Sequence, residues 1–195
     1  MPHLHTQPHG HDLTISAWIL RRMDGRVKAL VHRHRRMGIW IQPGGHVEHT
    51  ENPWQALAHE LREETGYELS QLRVLQPLPL VPDCIHDVMH PVPVALDTHS
   101  PYAGHFHSDI VMALVTDEDP AGSPAPGEST QFAWVDPDEY AAIPGAEHDA
   151  VQIMTMIVTH VVGVWHEVPA TDFLLTDPPE PLTDPSEPAT GGRAR

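Results

Sequence analysis

The hydrophobic pattern of this chain separates stretches with the two-residue period of β-strands from stretches with the helical period. Residues 13–21 and 27–32 are rich in apolar side chains and flank Asp24-Gly25, a dipeptide that favours a tight hairpin turn. Residues 110–115 are all apolar, as in a strand that is buried on both faces. The further predicted strands cover residues 39–41, 72–75, 92–96, 106–116 and 132–135.

Two segments repeat apolar residues at steps of three and four and are predicted to be helices. The first has Asn52 as its N-cap, Pro53 at the first helical position and Gly66 where the chain leaves the helix. The second covers residues 147–165 and is expected to pack across the sheet. The apolar stripe of the first helix consists of Trp54, Leu57, Ala58, Leu61 and Thr65.

Composition sets the limits of the domain. Residues 1–12 hold four histidines among Pro, Gly and Gln, and are predicted to be a flexible terminus rather than a fixed metal site. Residues 169–195 are rich in Pro, Asp and Glu and cannot bury enough apolar surface to offset the entropy lost on ordering, so they are predicted to be a disordered tail. Residues 13–168 are therefore expected to form a single domain.

The net charge of −16 argues against general affinity for nucleic acid or for an anionic membrane, so no DNA binding is expected. A single cysteine, Cys84, excludes an internal disulfide. The N-terminus lacks an apolar signal region, and no apolar run approaches the roughly 20 residues needed to span a bilayer. We expect a cytoplasmic protein without membrane attachment, and the sequence leaves its oligomeric state open.

An acidic cluster lies on one flank of the first helix. Glu60, Glu63 and Glu64 stand three and four residues apart, so their carboxylates are close together and repel by about 0.2–0.5 kcal/mol per pair. Mg²⁺ takes oxygen ligands and would remove this repulsion. The alternative is a solvated acidic face, because Glu-rich helix faces are common.

The positive charges are concentrated just before this region, where residues 21–36 hold seven of the eleven Lys and Arg residues. Arg33, Arg35 and Arg36 belong to a predicted loop that could supply cations to an anionic substrate. The alternative is a hairpin that simply keeps an acidic protein soluble.

The glycine-rich loop and the first helix together resemble the signature box of the Nudix hydrolases. Gly45 is followed by five residues, Glu51, seven residues and then the run 59–67, which is similar to the family pattern Arg-Glu-aliphatic-any-Glu-Glu-any-Gly-aliphatic. Two positions depart from it, since His59 stands in place of Arg and Tyr67 in place of an aliphatic residue. The order of predicted elements fits the fold that this resemblance implies, an α+β domain with a mixed sheet between helices in an α/β/α sandwich.

The resemblance implies cleavage of a pyrophosphate bond in a nucleoside diphosphate linked to another group, by attack of water on phosphorus. It implies Mg²⁺ or Mn²⁺ as cofactor, because water and polyphosphate are both electron-rich and a cation must screen the developing charge. The implied metal ligands are the carboxylates of Glu60, Glu63 and Glu64 with the carbonyl of Gly44. Glu60 is our preferred base, and Glu128 in the acidic loop 117–130 is the alternative base and a further possible ligand.

Three residues near a strand start form a second candidate cluster. His105, His107 and Asp109 share one face of an extended chain by the two-residue period. They could orient substrate, accept a proton or bind a second metal, or they could simply end the strand near solvent.

Two other functions remain open on the sequence alone. A Nudix-fold module could bind a nucleotide, a phosphorylated metabolite or a protein without turnover, and the departure at His59 leaves room for this. Isomerase chemistry on an isoprenyl diphosphate would need a catalytic cysteine, for which Cys84 in a Pro-rich connection is a poor fit. The sequence does not separate nucleoside triphosphates from other nucleotide substrates.

The substitution at His59 generates a testable prediction. In the family the box Arg braces the structural Glu, here Glu51, and a histidine lacks the bidentate guanidinium and is charged only when protonated. Activity or metal affinity should therefore fall above about pH 7, and less so in a His59→Arg variant. Rates measured from about pH 6 to about pH 9 would contradict this if the two profiles are identical.

Overall fold

The computed structural model describes residues 9–79, 88–173 and 175. Predictions made for His3, His5, Cys84 and the tail beyond residue 175 lie outside these residues. Among the described residues, no helix is both long enough and apolar enough to cross a membrane.

The described residues form one mixed sheet with helices on both faces, as expected for the α+β sandwich. The strands are β1 (Gly10–Met23), β2 (Arg26–Arg33), β3 (Trp40–Ile41), β4 (Gly44–His46), β5 (Arg73–Gln76), β6 (Ala95–Tyr102), β7 (His105–Val115), β8 (Phe132–Val135) and β9 (His166–Pro169). The helices are α1 (Pro53–Thr65), α2 (Pro137–Ala142) and α3 (His148–Met156), and α3 continues as a π-helical turn over Ile157–Val161. Short 3-10 turns cover Leu69–Gln71 and Ala170–Asp172.

Strand β1 is the centre of the sheet. Its whole length pairs in parallel with β7, from Gly10 opposite His105 to Leu20 opposite Val115. Its other edge pairs with β4 over its first half and with β2 over its last residues, both antiparallel. Strands β5 and β6 extend the sheet from β7, and β8 extends it from β2. The predicted hairpin between β1 and β2 is confirmed, with Asp24 and Gly25 both at positive φ.

Alternate residues of β1 face two separate hydrophobic cores. Ile15, Ala17 and Ile19 pack with α1 in one core, and Trp18 and Leu20 pack with α2 and α3 in the other. The period of two therefore buries both faces of the apolar half of β1. Its first half differs, because Asp12, Thr14 and Ser16 are buried polar residues on the α2–α3 side.

Helix α1 begins and ends where local chemistry predicts. The Asn52 side chain accepts a hydrogen bond from the backbone N–H of Gln55, and the Gln55 side chain accepts one from the backbone N–H of Asn52. Gly66 has φ of 78°, and a Cβ there would collide with the backbone of Gly122. Trp54, Leu57 and Leu61 of the predicted stripe are fully buried. The helix is thus fixed at both ends and along one face.

Four predicted boundaries are wrong, and the first is that of the strand predicted at residues 92–96, which is β6 at Ala95–Tyr102 because it pairs with β7 from Ala95 onward. Strand β1 starts at Gly10 rather than at residue 13, because its first residues pair with β7. The last helix ends at Val161 rather than at residue 165, since Val162 is already extended. The folded chain continues past residue 168, because β9 pairs with β5 up to Pro169 and Phe173 is buried against Trp54, with ring centroids 5.9 Å apart.

Phe173 provides a test of this last correction. A Phe173→Ala variant should lose about 3 kcal/mol of unfolding free energy, because it leaves a cavity beside Trp54 in the core that supports α1. Urea denaturation measures the loss. Leu175→Ala is the matched control, since Leu175 is 40% exposed and its side chain should contribute within about 0.5 kcal/mol. Equal stability of the two variants would place Phe173 outside the folded domain.

Candidate functional site

Two carboxylates of α1 are buried against strand β4. Glu60 is 2% exposed and Glu64 is 7% exposed, although glutamate side chains are almost never fully buried unless they are paired. Gly45 lies directly over Glu60, and a Cβ at residue 45 would overlap the Glu60 carboxylate. Glycine is therefore required here for close approach of strand and helix.

The backbone of β4 holds the second carboxylate. The N–H of Gly44 donates a hydrogen bond of 2.9 Å to Glu64 Oε2. His32 Nε2 lies 3.7 Å from the same oxygen, in a ring that is 2% exposed. Burial lowers the pKa of His32 to about 4, with neighbouring His34 as a smaller cause, so this imidazole is neutral near pH 7. It contributes no positive charge to Glu64.

Burial also decides the protonation of the two acids. It raises the pKa of Glu60 to about 7, although His59 opposes the shift. It raises the pKa of Glu64 to about 8 against the opposing Gly44 hydrogen bond, and the charges of Glu60 and Glu128 add to the rise. Two acids that hold protons near neutral pH form a site that a cation would ionise.

The third glutamate and the predicted brace lie at the rim. Glu63 is half-exposed, and its Oε1 is 3.0 Å from His59 Nε2. His59 Nδ1 is 3.8 Å from Glu51 Oε2, which is longer than a hydrogen bond. Glu51 instead accepts a hydrogen bond of 3.1 Å from the backbone N–H of Glu48. His59 therefore contacts Glu63 more closely than Glu51, and Glu51 holds its own loop through the backbone.

The acidic loop 117–130 is fixed over the end of α1. The N–H of Ala125 donates to the carbonyl of Glu63 at 2.7 Å, and that of Gly122 donates to the carbonyl of Gly66 at 3.0 Å. Glu128 follows in this loop and is close enough for its charge to raise the pKa of both buried acids. The structure thus brings Glu128 to Glu60 and Glu64, which no local pattern could have shown.

Tyr67, the second departure from the box pattern, is buried at the same end of α1. Its hydroxyl accepts a hydrogen bond from Arg21 at 2.9 Å and donates one to the carbonyl of Glu118 at 2.8 Å. The aromatic ring fills the core position, and the hydroxyl ties the loop to β1. An aliphatic side chain could fill the core position, but it could not make these two hydrogen bonds.

The basic residues divide into two groups. Arg21, Arg26 and Lys28 form ion pairs with Asp119, Asp136 and Glu139, respectively. Arg33 and Arg35 line a cavity of about 530 Å³ between the β2–β3 connection and residues 128–131. Arg36 is exposed in the same connection.

The cavity places positive charge beside the acidic loop. Arg35 donates a hydrogen bond to the carbonyl of Gly127, and Arg33 donates one of 3.3 Å to that of Gly38. Glu128 lines the same cavity. Glu128 therefore links the two regions, because it lines the arginine-containing cavity and its charge acts on both buried acids.

His107 and Asp109 lie away from this pocket, on the other side of the sheet from α1. Asp109 is buried and accepts hydrogen bonds from Thr14 at 2.8 Å and Ser16 at 2.6 Å. Burial raises its pKa, and these two bonds oppose the rise. The carboxylate is thus engaged inside the sheet.

His105 and His107 instead meet two residues that sequence reasoning missed. Asp12 was assigned to the flexible terminus, and His46 was read only as part of the glycine loop. The ligating atoms of these four side chains all lie within 4.8 Å of one another. Burial, with neighbouring histidines as smaller causes, lowers the pKa of His107 to about 4. Only the pairing of β1 with β4 and β7 brings the four together.

The residues of α1 fit a hard divalent cation. The donor set consists of oxygens from Glu60, Glu63 and Glu64, with Glu128 close by, and Mg²⁺ and Mn²⁺ prefer such ligands. At Gly45, β4 and α1 approach each other so closely that no side chain would fit between them. Protonated buried acids would exchange their protons for the ion on binding.

Comparisons with known proteins agree with this arrangement. The family model described as NUDIX domain matches residues 10–156. A search of curated proteins by sequence found no match.

Solved structures share the fold. A hydrolase of the NUDIX family from Clostridium perfringens is 20% identical, with a TM-score of 0.60 over 76% of this chain and 97% of that chain. The C. elegans Ap4A hydrolase is 19% identical, with a TM-score of 0.56 over 74% of this chain and 93% of that chain. A MutT NUDIX hydrolase from Burkholderia pseudomallei is 19% identical, with a TM-score of 0.54 over 76% and 98%. At these identities the likeness establishes the fold alone.

The raised pKa values predict how stability depends on pH without added metal. Because burial raises the pKa of Glu60 and of Glu64 above the ordinary value of 4.5, the contribution of these two acids to stability is largest below about pH 4.5 and is lost as pH rises toward about 8. The slope is at most about 1.4 kcal/mol per pH unit for each group. Glu64→Gln should flatten the decline, and Mg²⁺ should reduce it in the unmodified chain. Urea denaturation between about pH 5 and pH 8 measures both effects.

The matched control is Glu118→Gln, which changes an exposed glutamate outside the acid cluster. It should keep the pH dependence of the unmodified chain. A decline that is equally steep in Glu64→Gln would contradict the assignment of the titration to this buried acid.

Proposed function

Since this chain belongs to the Nudix family, we propose that it is a metal-dependent hydrolase that cleaves a pyrophosphate bond in a nucleotide by attack of water on phosphorus. The observation that carries the proposal is the pair of buried acids, Glu60 and Glu64, held against β4 beside an open basic pocket. The substrate class is a nucleoside diphosphate linked to another group, such as a nucleoside triphosphate.

The metal ligands in this proposal are Glu60, Glu63 and Glu64, with the carbonyl of Gly44. When bound, Mg²⁺ or Mn²⁺ would acidify water and screen the charge that develops on phosphate. The Gly44 N–H fixes the orientation of the Glu64 carboxylate, and the neutral His32 beside it adds no competing cation. These contacts preorganise the acids before any ligand arrives.

Glu60 is the proposed base. Burial raises its pKa to about 7 without metal, and a bound cation would ionise it, so that the buried carboxylate could accept a proton from the attacking water. Glu128 is the alternative, since it faces the same acids from the loop that borders the basic cavity. A single carboxylate cannot serve as base and hold a proton at once, so the active form requires Glu60 to be ionised.

Arg33 and Arg35 are proposed to bind phosphate groups of the substrate. Their guanidinium groups line the cavity next to Glu128, and a guanidinium can donate two parallel hydrogen bonds to a phosphate. Arg36 would add charge at the rim. A substrate with several phosphates fits this distribution, because one part can reach the acids while another contacts the arginines.

A nucleotide-binding module without turnover is the second candidate. The observation that favours it is the 3.0 Å contact between His59 and Glu63, because the imidazole occupies a carboxylate oxygen that a metal ion would need. Binding of the nucleotide through the basic cavity would not require that carboxylate.

A substrate panel separates the two candidates. Nucleoside triphosphates, nucleotide sugars, dinucleoside polyphosphates and capped RNA are incubated with Mg²⁺ or Mn²⁺, and release of phosphate or nucleotide is measured. We expect turnover of at least one class, and loss of at least about 100-fold in rate for the Glu63→Gln, Glu64→Gln double variant. Binding without turnover in the whole panel would favour the module, and equal turnover by the double variant would refute the metal assignment.

The basic cavity has its own test once a substrate is known. Arg35→Ala should raise KM by about tenfold with little change in kcat, because it removes a charged hydrogen-bond donor to phosphate. The matched control is Arg22→Ala, an exposed arginine at the hairpin end of β1, which should change neither constant. An unchanged KM in Arg35→Ala would remove this arginine from the substrate site.

A further inference from the structure

A cluster of three histidines and one aspartate lies outside the proposed hydrolase site. Strands β4, β1 and β7 run side by side, and each contributes to it. Asp12 of β1 is the register partner of His107 of β7, and His105 stands two residues earlier on the same face of β7. His46 of β4 enters from the other edge of β1, opposite Thr14.

The spacing of the four ligating atoms matches a tetrahedral metal site. Asp12 Oδ2 lies 3.4 Å from His46 Nε2 and 3.3 Å from His105 Nε2, and all four atoms lie within 4.8 Å of one another. Bonds of about 2.0–2.2 Å to a central zinc ion require ligand atoms about 3.3–3.6 Å apart at the corners of a tetrahedron. Two of the six separations, from Asp12 to His46 and to His105, fall in this range, and the other four are no longer than 4.8 Å, so the four side chains would close by at most about 1.5 Å to hold an ion.

The orientation of the imidazole rings supports the same geometry. The His107 ring is nearly perpendicular to the rings of His46 and His105, at 84° and 87°, with centroids 4.9 and 5.1 Å away. Such rings do not stack on one another, and their nitrogens converge. His107 Nε2 is buried and makes no hydrogen bond among the described residues.

The environment favours a closed site. Asp12 is 1% exposed and His105 is 3% exposed, whereas His46 and His107 are partly exposed, so the cluster lies just below the protein surface. A buried carboxylate beside three imidazoles is compensated well by a divalent cation. Three nitrogen ligands and one oxygen ligand suit zinc or a similar late transition metal, and they do not suit Mg²⁺, which prefers oxygen.

We propose that Asp12, His46, His105 and His107 bind one structural zinc ion in tetrahedral coordination. The ion links the first residues of β1 and β7 to β4. It lies across the sheet from Glu60, because β4 turns Gly45 toward α1 and the next residue, His46, toward the opposite face. The zinc ion would therefore stabilise β4 on one face, while the buried acids of α1 pack against its other face. The proposal does not depend on hydrolase activity.

The test uses the full chain, stripped of metal with a chelator and titrated with Co²⁺ in place of Zn²⁺. Tetrahedral Co²⁺ gives intense visible absorption, whereas Co²⁺ in an octahedral carboxylate site absorbs weakly, so the spectrum separates this site from Glu60, Glu63 and Glu64. We expect one tetrahedral Co²⁺ per chain, displaced by one Zn²⁺, and an increase in Tm on adding Zn²⁺. A weak octahedral spectrum, or no binding, would overturn the proposal.

Variants locate the ion. His107→Ala should bind Co²⁺ at least tenfold more weakly and lose the zinc-dependent shift in Tm. The matched control is His99→Ala on β6, whose exposed ring lies 5.4 Å from that of His107 without belonging to the cluster, and it should keep both properties. Equal binding by His107→Ala and the unmodified chain, or loss of binding in His99→Ala alone, would overturn the assignment.

A second control addresses the histidines near the N-terminus. A variant with His3, His5, His9 and His11 all changed to Ala should retain the tetrahedral spectrum, and its loss there would move the site to that segment. If His107→Ala fails to fold, as circular dichroism would reveal, the spectrum of the unmodified chain together with this N-terminal variant still decides the question.

Discussion

Two carboxylates are kept out of water between α1 and β4, and the rest of this structure is arranged to make that possible. Removing a carboxylate from water costs several kcal/mol after relaxation, and Glu60 and Glu64 stand side by side. Among the residues that the structure describes, a backbone hydrogen bond from Gly44 to Glu64 offsets part of this desolvation cost. The remaining stabilisation comes from packing, because Trp54, Leu57 and Leu61 anchor the adjoining face of α1 in a core that includes Phe173.

The short strand β4 connects the two polar centres of the molecule. It has three residues, and their alternation places Gly45 against Glu60 and His46 in the histidine cluster on the other face. Because both centres depend on the same strand, its pairing with the first half of β1 has to be firm. The buried Asp109, which accepts hydrogen bonds from Thr14 and Ser16 of β1, ties β7 to this same stretch.

Features governed by neighbours in sequence were predictable, and features governed by distant pairing were not. Helix α1 has both of its predicted ends, because Asn52 and Gly66 act on backbone groups within one turn. The first residues of β1 and residues 169–173 were misjudged, since their composition is polar and their order comes from β7, β5 and the core around Trp54. The sequence also did not show which arginines form ion pairs and which line the cavity, because the acidic partners Asp119 and Asp136 lie about 100 residues away along the chain.

The sequence by itself determined the acidic face of α1 and the glycine that receives it, because residues three and four apart share a helix face whatever the rest of the chain does. Only the tertiary structure decided which polar groups join these residues from elsewhere. Glu128 reaches the acids through a loop fixed on the end of α1, and Asp12 meets His107 through parallel strands about 95 residues apart along the chain. The register of such strands is set by burial and side-chain packing over the whole sheet, which no local pattern records.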